Sequence, residues 1–174
     1  MNKGLVHIYT GDGKGKTTAA VGLAVRAAGH NFQVYFLQFM KGMITGEKEI
    51  SKLSQINFRR ANQSEKFYYQ MNNNEKKKVQ EEIKRIWDKV IDLSRDSIYN
   101  IIILDELMSV INNELLSVNK VIELIKNKDY QKELIMTGRK APEKIIKYAD
   151  YVTEMKSIKH PYQQGITARK GIEF

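Results

Sequence analysis

Leu5-Val-His-Ile-Tyr9-Thr10-Gly11-Asp12-Gly13-Lys14-Gly15-Lys16-Thr17-Thr18-Ala-Ala20 is the stretch that decides the fold. Leu5–Tyr9 reads as a short buried strand, and Lys16–Ala28, rich in Ala and Leu, as a helix ending at Gly29. Between them lies a glycine-rich turn. A phosphate-binding P-loop has the pattern G-x-x-x-x-G-K-[ST]. Gly15-Lys16-Thr17 meets its last three positions, while Thr10 stands where the first glycine is expected. Gly11 and Gly13 let successive backbone N–H groups turn inward around phosphate oxygens, and the following helix adds its positive N-terminal end. Lys16 supplies a cation for the phosphates, and Thr17 a hydroxyl suited to Mg²⁺ or Mn²⁺.

Working outward, Val34–Phe39 reads as a second strand and Ile56–Arg60 as a third. Asn72–Glu75 supplies helix-starting residues. Val79, Ile83, Ile86, Trp87, Val90, Ile91 and Leu93 then recur at helical spacing to about Arg95. Ile98–Leu104 is the most hydrophobic strand, Val118–Ile125 a helix and Glu133–Thr137 a strand. Pro142 suits the first turn of a helix running to about Tyr148, and Tyr151–Glu154 is a last strand. Strands alternate with helices and are continuous apolar runs. Both features predict an α/β fold, a mostly parallel sheet with helices on both faces, in one domain over residues 1–174. Ligands of such sheets bind at the carboxyl ends of strands. Gly11, Asp105 and Thr137 each follow a strand and are expected to meet there.

Ile101-Ile-Ile-Leu-Asp105-Glu106 is a buried strand ending in two carboxylates. After a P-loop this is the form of the element that holds Mg²⁺ directly or through water. Asp105 also fits a helix N-cap. Glu106 fits a metal ligand, a catalytic base or a first-turn carboxylate favoured by the helix dipole.

Composition narrows the function classes. The 174 residues contain no cysteine, so disulfides, thiolate metal sites and cysteine nucleophiles are excluded. No apolar run approaches the roughly 18 residues that would span a membrane, and the first residues lack the apolar stretch of a signal peptide, which points to a cytoplasmic protein with no membrane partner. The net charge of +9 suits polyphosphate, nucleic acid or an anionic surface. Much of it sits in helix-like runs such as Glu75-Lys76-Lys77-Lys78, which read as solvated faces. No element interleaves aromatic and basic residues along a stripe, so no nucleic-acid partner is expected.

The chain resembles the P-loop type of corrinoid adenosyltransferase over almost its whole length. The matching stretches are Tyr9–Ala20, Arg26-Ala-Ala-Gly-His30, Gln38-Phe-Met-Lys-Gly42, Leu104-Asp-Glu-Leu107, Thr137-Gly-Arg139 with Ala141-Pro142, and Ala149-Asp150. The closing run is Val152–His160 with Gly165-Ile and Gly171-Ile-Glu-Phe174. The resemblance implies a RecA-like fold and usually a homodimer. ATP and a corrinoid are the implied substrates. ATP is cleaved at C5′, its adenosyl group joins cobalt(I), and triphosphate leaves, the cobalt having been reduced by a flavoprotein. The implied nucleotide site is Gly11, Asp12, Gly13, Lys14, Gly15, Lys16, Thr17 and Thr18, with Asp12 toward the nucleoside. Thr17 and Glu106, with Asp105, are the implied metal-holding residues. Arg139 is the implied positive fork near phosphate, with a surface ion pair as the plain alternative. Phe67 and Tyr69 stand where the family places an aromatic pair above the corrin; relatives carry Phe-x-Trp, and here the second ring is Tyr. The alternative is that these rings anchor a loop. Some relatives cover the site with a long segment before the first strand, whereas only a few residues precede Leu5 here. His160, next to Pro161, reads as structural rather than as a ligand. The alternative activity is that of a small-molecule or nucleoside kinase, with Glu106 orienting the acceptor.

Overall fold

In a continuous apolar strand successive side chains point to opposite faces, so both faces demand a cover. The computed structural model, which describes residues 3–40, 46–61, 66 and 68–173, meets that demand with six strands and helices on both sides. The strands are β1 (Val6–Thr10), β2 (Val34–Gln38), β3 (Ile56–Arg60), β4 (Ile101–Asp105), β5 (Glu133–Thr137) and β6 (Tyr151–Glu154). Their spatial order is β3-β2-β4-β5-β1-β6, and every neighbouring pair is parallel.

Helix α1 (Lys16–Ala28) covers one face. Its Ala20, Ala24, Ala27 and Ala28 pack with Val34, Phe36, Ile101, Ile103 and Ile135. Small side chains bring the helix axis close to the sheet, which sets α1 directly behind the loop that precedes it. The opposite face carries α2 (Asn73–Arg95), α3 (Leu107–Asn112), α4 (Val118–Asn127) and α5 (Glu143–Ile146) over Ile8, Leu37, Ile102, Leu104 and Met136. Val79, Ile83, Trp87 and Val90 form the buried stripe of α2. That helix starts on a reciprocal cap, in which Asn72 accepts from the Glu75 amide and Glu75 from the Asn72 amide.

The register places Gln38 opposite Asp105 and Tyr9 opposite Thr137. The carboxyl ends of β1, β2, β4 and β5 therefore open on one edge of the sheet, as the sequence predicts. Edge strand β6 pairs only with β1, and all four of its residues are exposed.

Two expectations are corrected. The fourth strand begins at Ile101 and not Ile98, whose side chain is 74% exposed. The Asn100 side chain accepts from the Gln33 amide and takes the place of a ladder bond. Gly29 ends α1 as the sequence predicts, at φ −61°, and the left-handed residue that follows is Asn31, at φ 61°. Pro142 caps α5 rather than entering it, and the helix stops at Ile146. Helix α3, directly after Glu106, was not anticipated because its six residues are too short to show periodicity.

Gly138 shows where the fold requires glycine. Its φ is +138°, and an added Cβ would lie 2.7 Å from the Met108 Cβ. Gly138→Ala should cost about 2 kcal/mol or more through strain and overlap. Gly22, exposed within α1 with nothing within 4 Å of an added Cβ, should gain about 1 kcal/mol on change to Ala. Thermal and denaturant unfolding of both variants measure the contrast.

Candidate active site

The turn from β1 to α1 is held from three sides. The Gly13 amide donates to the Met155 carbonyl, just past β6, at 2.6 Å. A Cβ at Gly13 would lie 2.6 Å from that same oxygen, so the two backbones meet in a way that excludes a side chain. Thr10, at the position where the strict pattern has glycine, is buried, and its hydroxyl accepts from the Ala141 amide at 3.1 Å. The departure from the pattern thus has a structural use: it ties β1 to the segment after β5. Lys16 curls over the loop, its Nζ donating to the carbonyls of Gly11 at 2.7 Å and Gly13 at 2.8 Å. Burial pulls its pKa below the usual lysine value, and the Glu106 charge works against that fall.

Asp105 has no solvent exposure and gathers the surrounding elements. Its Oδ1 accepts from the Thr137 hydroxyl at 2.7 Å. Its Oδ2 accepts from Gln38 Nε2 at 3.0 Å and from the Thr17 hydroxyl at 3.3 Å. Gln38 in turn accepts from Arg60 Nε at 3.0 Å. Asp105 belongs to β4 and caps no helix. Position N-cap of α3 falls instead to Glu106, whose backbone is left-handed at φ 59°. Such a conformation costs a non-glycine residue of order 1–3 kcal/mol and is concentrated at functional sites. The Glu106 amide donates to Thr137 Oγ1 at 3.0 Å, and Ser109 donates to Glu106 Oε2 at 2.7 Å.

These parts surround a cavity of about 430 Å³. Asp12, Gly13, Lys14, Gly15, Lys16, Thr17 and Thr18 line it, together with Glu106 and Arg139. Gly11 is not among the lining residues; it serves through its carbonyl. Arg139 is exposed, its carbonyl accepts from Asn112 Nδ2, and among the described residues no carboxylate forms a salt bridge with its guanidinium. Phe67 lies outside the described residues. Tyr69 sits on a single 3₁₀ turn, Tyr68–Gln70; it is largely exposed and is not among the residues that line the cavity. Tyr68 is partly buried and packs against the core.

Sequence reasoning missed several residues of the site. Gln38 appeared only within a matching stretch, since nothing local marks a buried amide as a partner of Asp105. Met155 contributes through its backbone, which no side-chain pattern reveals. His160, Gly171, Ile172 and Glu173 also line the cavity, because the chain returns there after β6. His160 Nδ1 accepts from the Tyr162 amide, in keeping with a structural histidine. Among the described residues no three His, Cys, Asp or Glu side chains form a metal-holding group.

The loop, the parallel sheet and the two carboxylates define an α/β P-loop protein. A family model described as ATP:corrinoid adenosyltransferase BtuR/CobO/CobP matches residues 2–174, and the chain belongs to that family. It is 35% identical to a corrinoid adenosyltransferase of Sinorhizobium sp over 178 aligned residues, covering 99% of this chain and 81% of the relative. It is 31% identical to that of Escherichia coli (strain K12), covering 99% and 86%. Among solved structures, the flagellar accessory protein FlaH from Methanocaldococcus jannaschii superposes with a TM-score of 0.55 at 15% identity, covering 88% of this chain and 72% of that one. That likeness concerns the fold alone. Family membership makes the protein a transferase that carries out ATP-dependent adenosyl transfer to corrinoids in cobalamin synthesis.

Thr10→Gly, which restores the strict loop pattern, should lower stability by about 1–3 kcal/mol. It leaves the half-buried Ala141 amide without its acceptor and loosens the backbone. Thermal unfolding of the variant against the parent measures the loss.

Proposed function

We propose that residues 1–174 act as one P-loop unit that grips the triphosphate of ATP, presents C5′ to a corrinoid cobalt, and works through Lys16, Thr17, Glu106 and Arg139. The observation that carries this assignment is the convergence of those four side chains on the cavity beside the loop. Lys16 now donates to two loop carbonyls. Transferred to phosphate oxygens it would meet full negative charge, which favours its protonated form. Arg139, with no salt bridge among the described residues, would add a second cation to the cavity lining. Asp12 borders the cavity at the loop's start, where it would face the nucleoside.

The oxygens suit a hard divalent cation, Mg²⁺ or Mn²⁺. Thr17 gives its proton to Asp105 and so keeps a lone pair for a metal. Glu106 has one oxygen engaged by Ser109, which leaves the other for ligation. Asp105, buried and engaged by three donors, would act by holding Thr17 rather than by direct contact. The cation would supply charge neutralisation of the polyphosphate.

Cobalt(I) is an electron-rich nucleophile, so the reaction asks for no general base. Its electron pair forms the cobalt–carbon bond as the C5′–O5′ bond breaks. The bonding electrons leave with triphosphate, which Lys16 and Arg139 stabilise. Phe67 and Tyr69 would face the corrin and displace its lower ligand, which eases reduction by a flavoprotein. A homodimer in the cytoplasm is the working assembly under this reading. No helix among the described residues is long and apolar enough to cross a membrane.

Lys16→Ala should reduce kcat/KM at least about 10²–10³-fold while melting temperature and circular dichroism stay close to the parent's. In the parent, the phosphorus-containing product should be triphosphate; ADP with a phosphorylated acceptor would instead establish the kinase alternative.

Tyr69→Ala should slow adenosylation sharply when a weak flavoprotein reductant must make cobalt(I), and much less when chemically reduced corrinoid is supplied. Equal slowing under both regimes, or lost ATP affinity, would remove Tyr69 from the corrin side.

A further inference from the structure

Beyond β6 the chain turns back across the phosphate loop. A second cavity of about 390 Å³ lies between this returning segment and the loop. Its cationic lining is Lys14, Lys156, Lys159 and Arg169, with the His160 ring beside them, against a single carboxylate, Glu173. Lys156 also meets Glu154 at 3.5 Å, an exposed pair of little strength. Lys14, His160 and Glu173 line both this cleft and the nucleotide cavity, so the two spaces adjoin.

Glu173 is bound as a small anion would be. Its Oε1 accepts from Lys14 Nζ at 3.1 Å and from an Arg169 terminal nitrogen at 3.1 Å. Its Oε2 accepts from the Arg169 amide at 2.8 Å and from Arg169 Nε at 3.2 Å. The Arg169 contacts are local, four residues apart, but Lys14 is 159 residues away in sequence and belongs to the phosphate loop. Arg169 holds the Glu173 carboxyl well below the usual carboxylate range, at about 2. Two cations and an amide converging on two oxygens form a donor set that serves a phosphoryl group equally well.

We propose that this cleft is a second anion subsite, which receives one end of inorganic triphosphate when Glu173 swings out from between Lys14 and Arg169. The inference rests on the assignment of the neighbouring cavity to the phosphates of ATP. While cleavage is pending, Glu173 fills the subsite. Once the C5′–O5′ bond has broken, the freed triphosphate carries an additional charged end and competes for the same donors. Lys156 and Lys159, both exposed, lead from the cleft to solvent.

The test is calorimetric titration of the full chain with sodium triphosphate, orthophosphate and ATP at one fixed ionic strength. Glu173→Gln, which removes the internal competitor, should bind triphosphate about fivefold or more tighter. Lys156→Ala combined with Lys159→Ala, which removes two of the four cations lining the cleft without touching Glu173, should bind it about tenfold weaker. The ATP KM of the double variant should stay within about twofold of the parent's, and orthophosphate should bind weakly throughout. Parent-like triphosphate affinity in both variants, with ATP binding intact, would overturn the subsite alone. A parent protein that binds neither ATP nor triphosphate would overturn the nucleotide assignment on which it rests.

Discussion

Asp105 is a carboxylate without solvent access, and the site is assembled around satisfying it. Three donors reach it, from Thr17 on α1, Gln38 on β2 and Thr137 on β5. Removing a charge or polar group from water is costly unless hydrogen bonds replace those of the solvent. Satisfying one residue therefore fixes the relative positions of the phosphate loop and three strand ends. Thr137 carries the constraint one step further by accepting from the Glu106 amide. The left-handed backbone at Glu106 is supported by this contact and by the packing of α3 behind it.

The phosphate loop depends on a second constraint, contact with the segment after β6. A glycine-rich turn has many accessible conformations, and ordering it costs entropy. The Gly13 amide donates to the Met155 carbonyl in the middle of the turn, and the Thr10 hydroxyl, accepting from the Ala141 amide after β5, fixes its start. Strand β6 is exposed along its length and adds little to the core. Its contribution is to carry the chain across the loop, so that His160 and Glu173 reach the cavity. The peripheral strand and the segment beyond it belong functionally to the site, although they lie more than 130 residues from the loop in sequence.

Much of this was legible before any coordinates. Helix α1 and strands β3, β5 and β6 have the bounds read from sequence, because turn residues and strong apolar runs mark their ends. The start of β4 was misread because Ile98 is apolar yet exposed, and an apolar residue on the surface carries no local mark of its position. The meeting of loop, Asp105 and Thr137 followed from parallel topology alone, since parallel strands send all their carboxyl ends to one edge.

What the sequence determined by itself was a P-loop on a parallel α/β sheet, the family, and the charged side chains that border the cavity beside the loop. Those follow from residue type and spacing along a continuous stretch of chain. Only the tertiary structure decided that Thr10 anchors Ala141, that Gln38 shares Asp105 with Thr17, that Gly13 leans on the Met155 carbonyl, and that Glu173 lies on Lys14. Each of these joins residues far apart in sequence, and two of them use a backbone group that every residue possesses. A local pattern cannot encode such a contact, because its energy depends on where two distant segments come to rest after the core has packed.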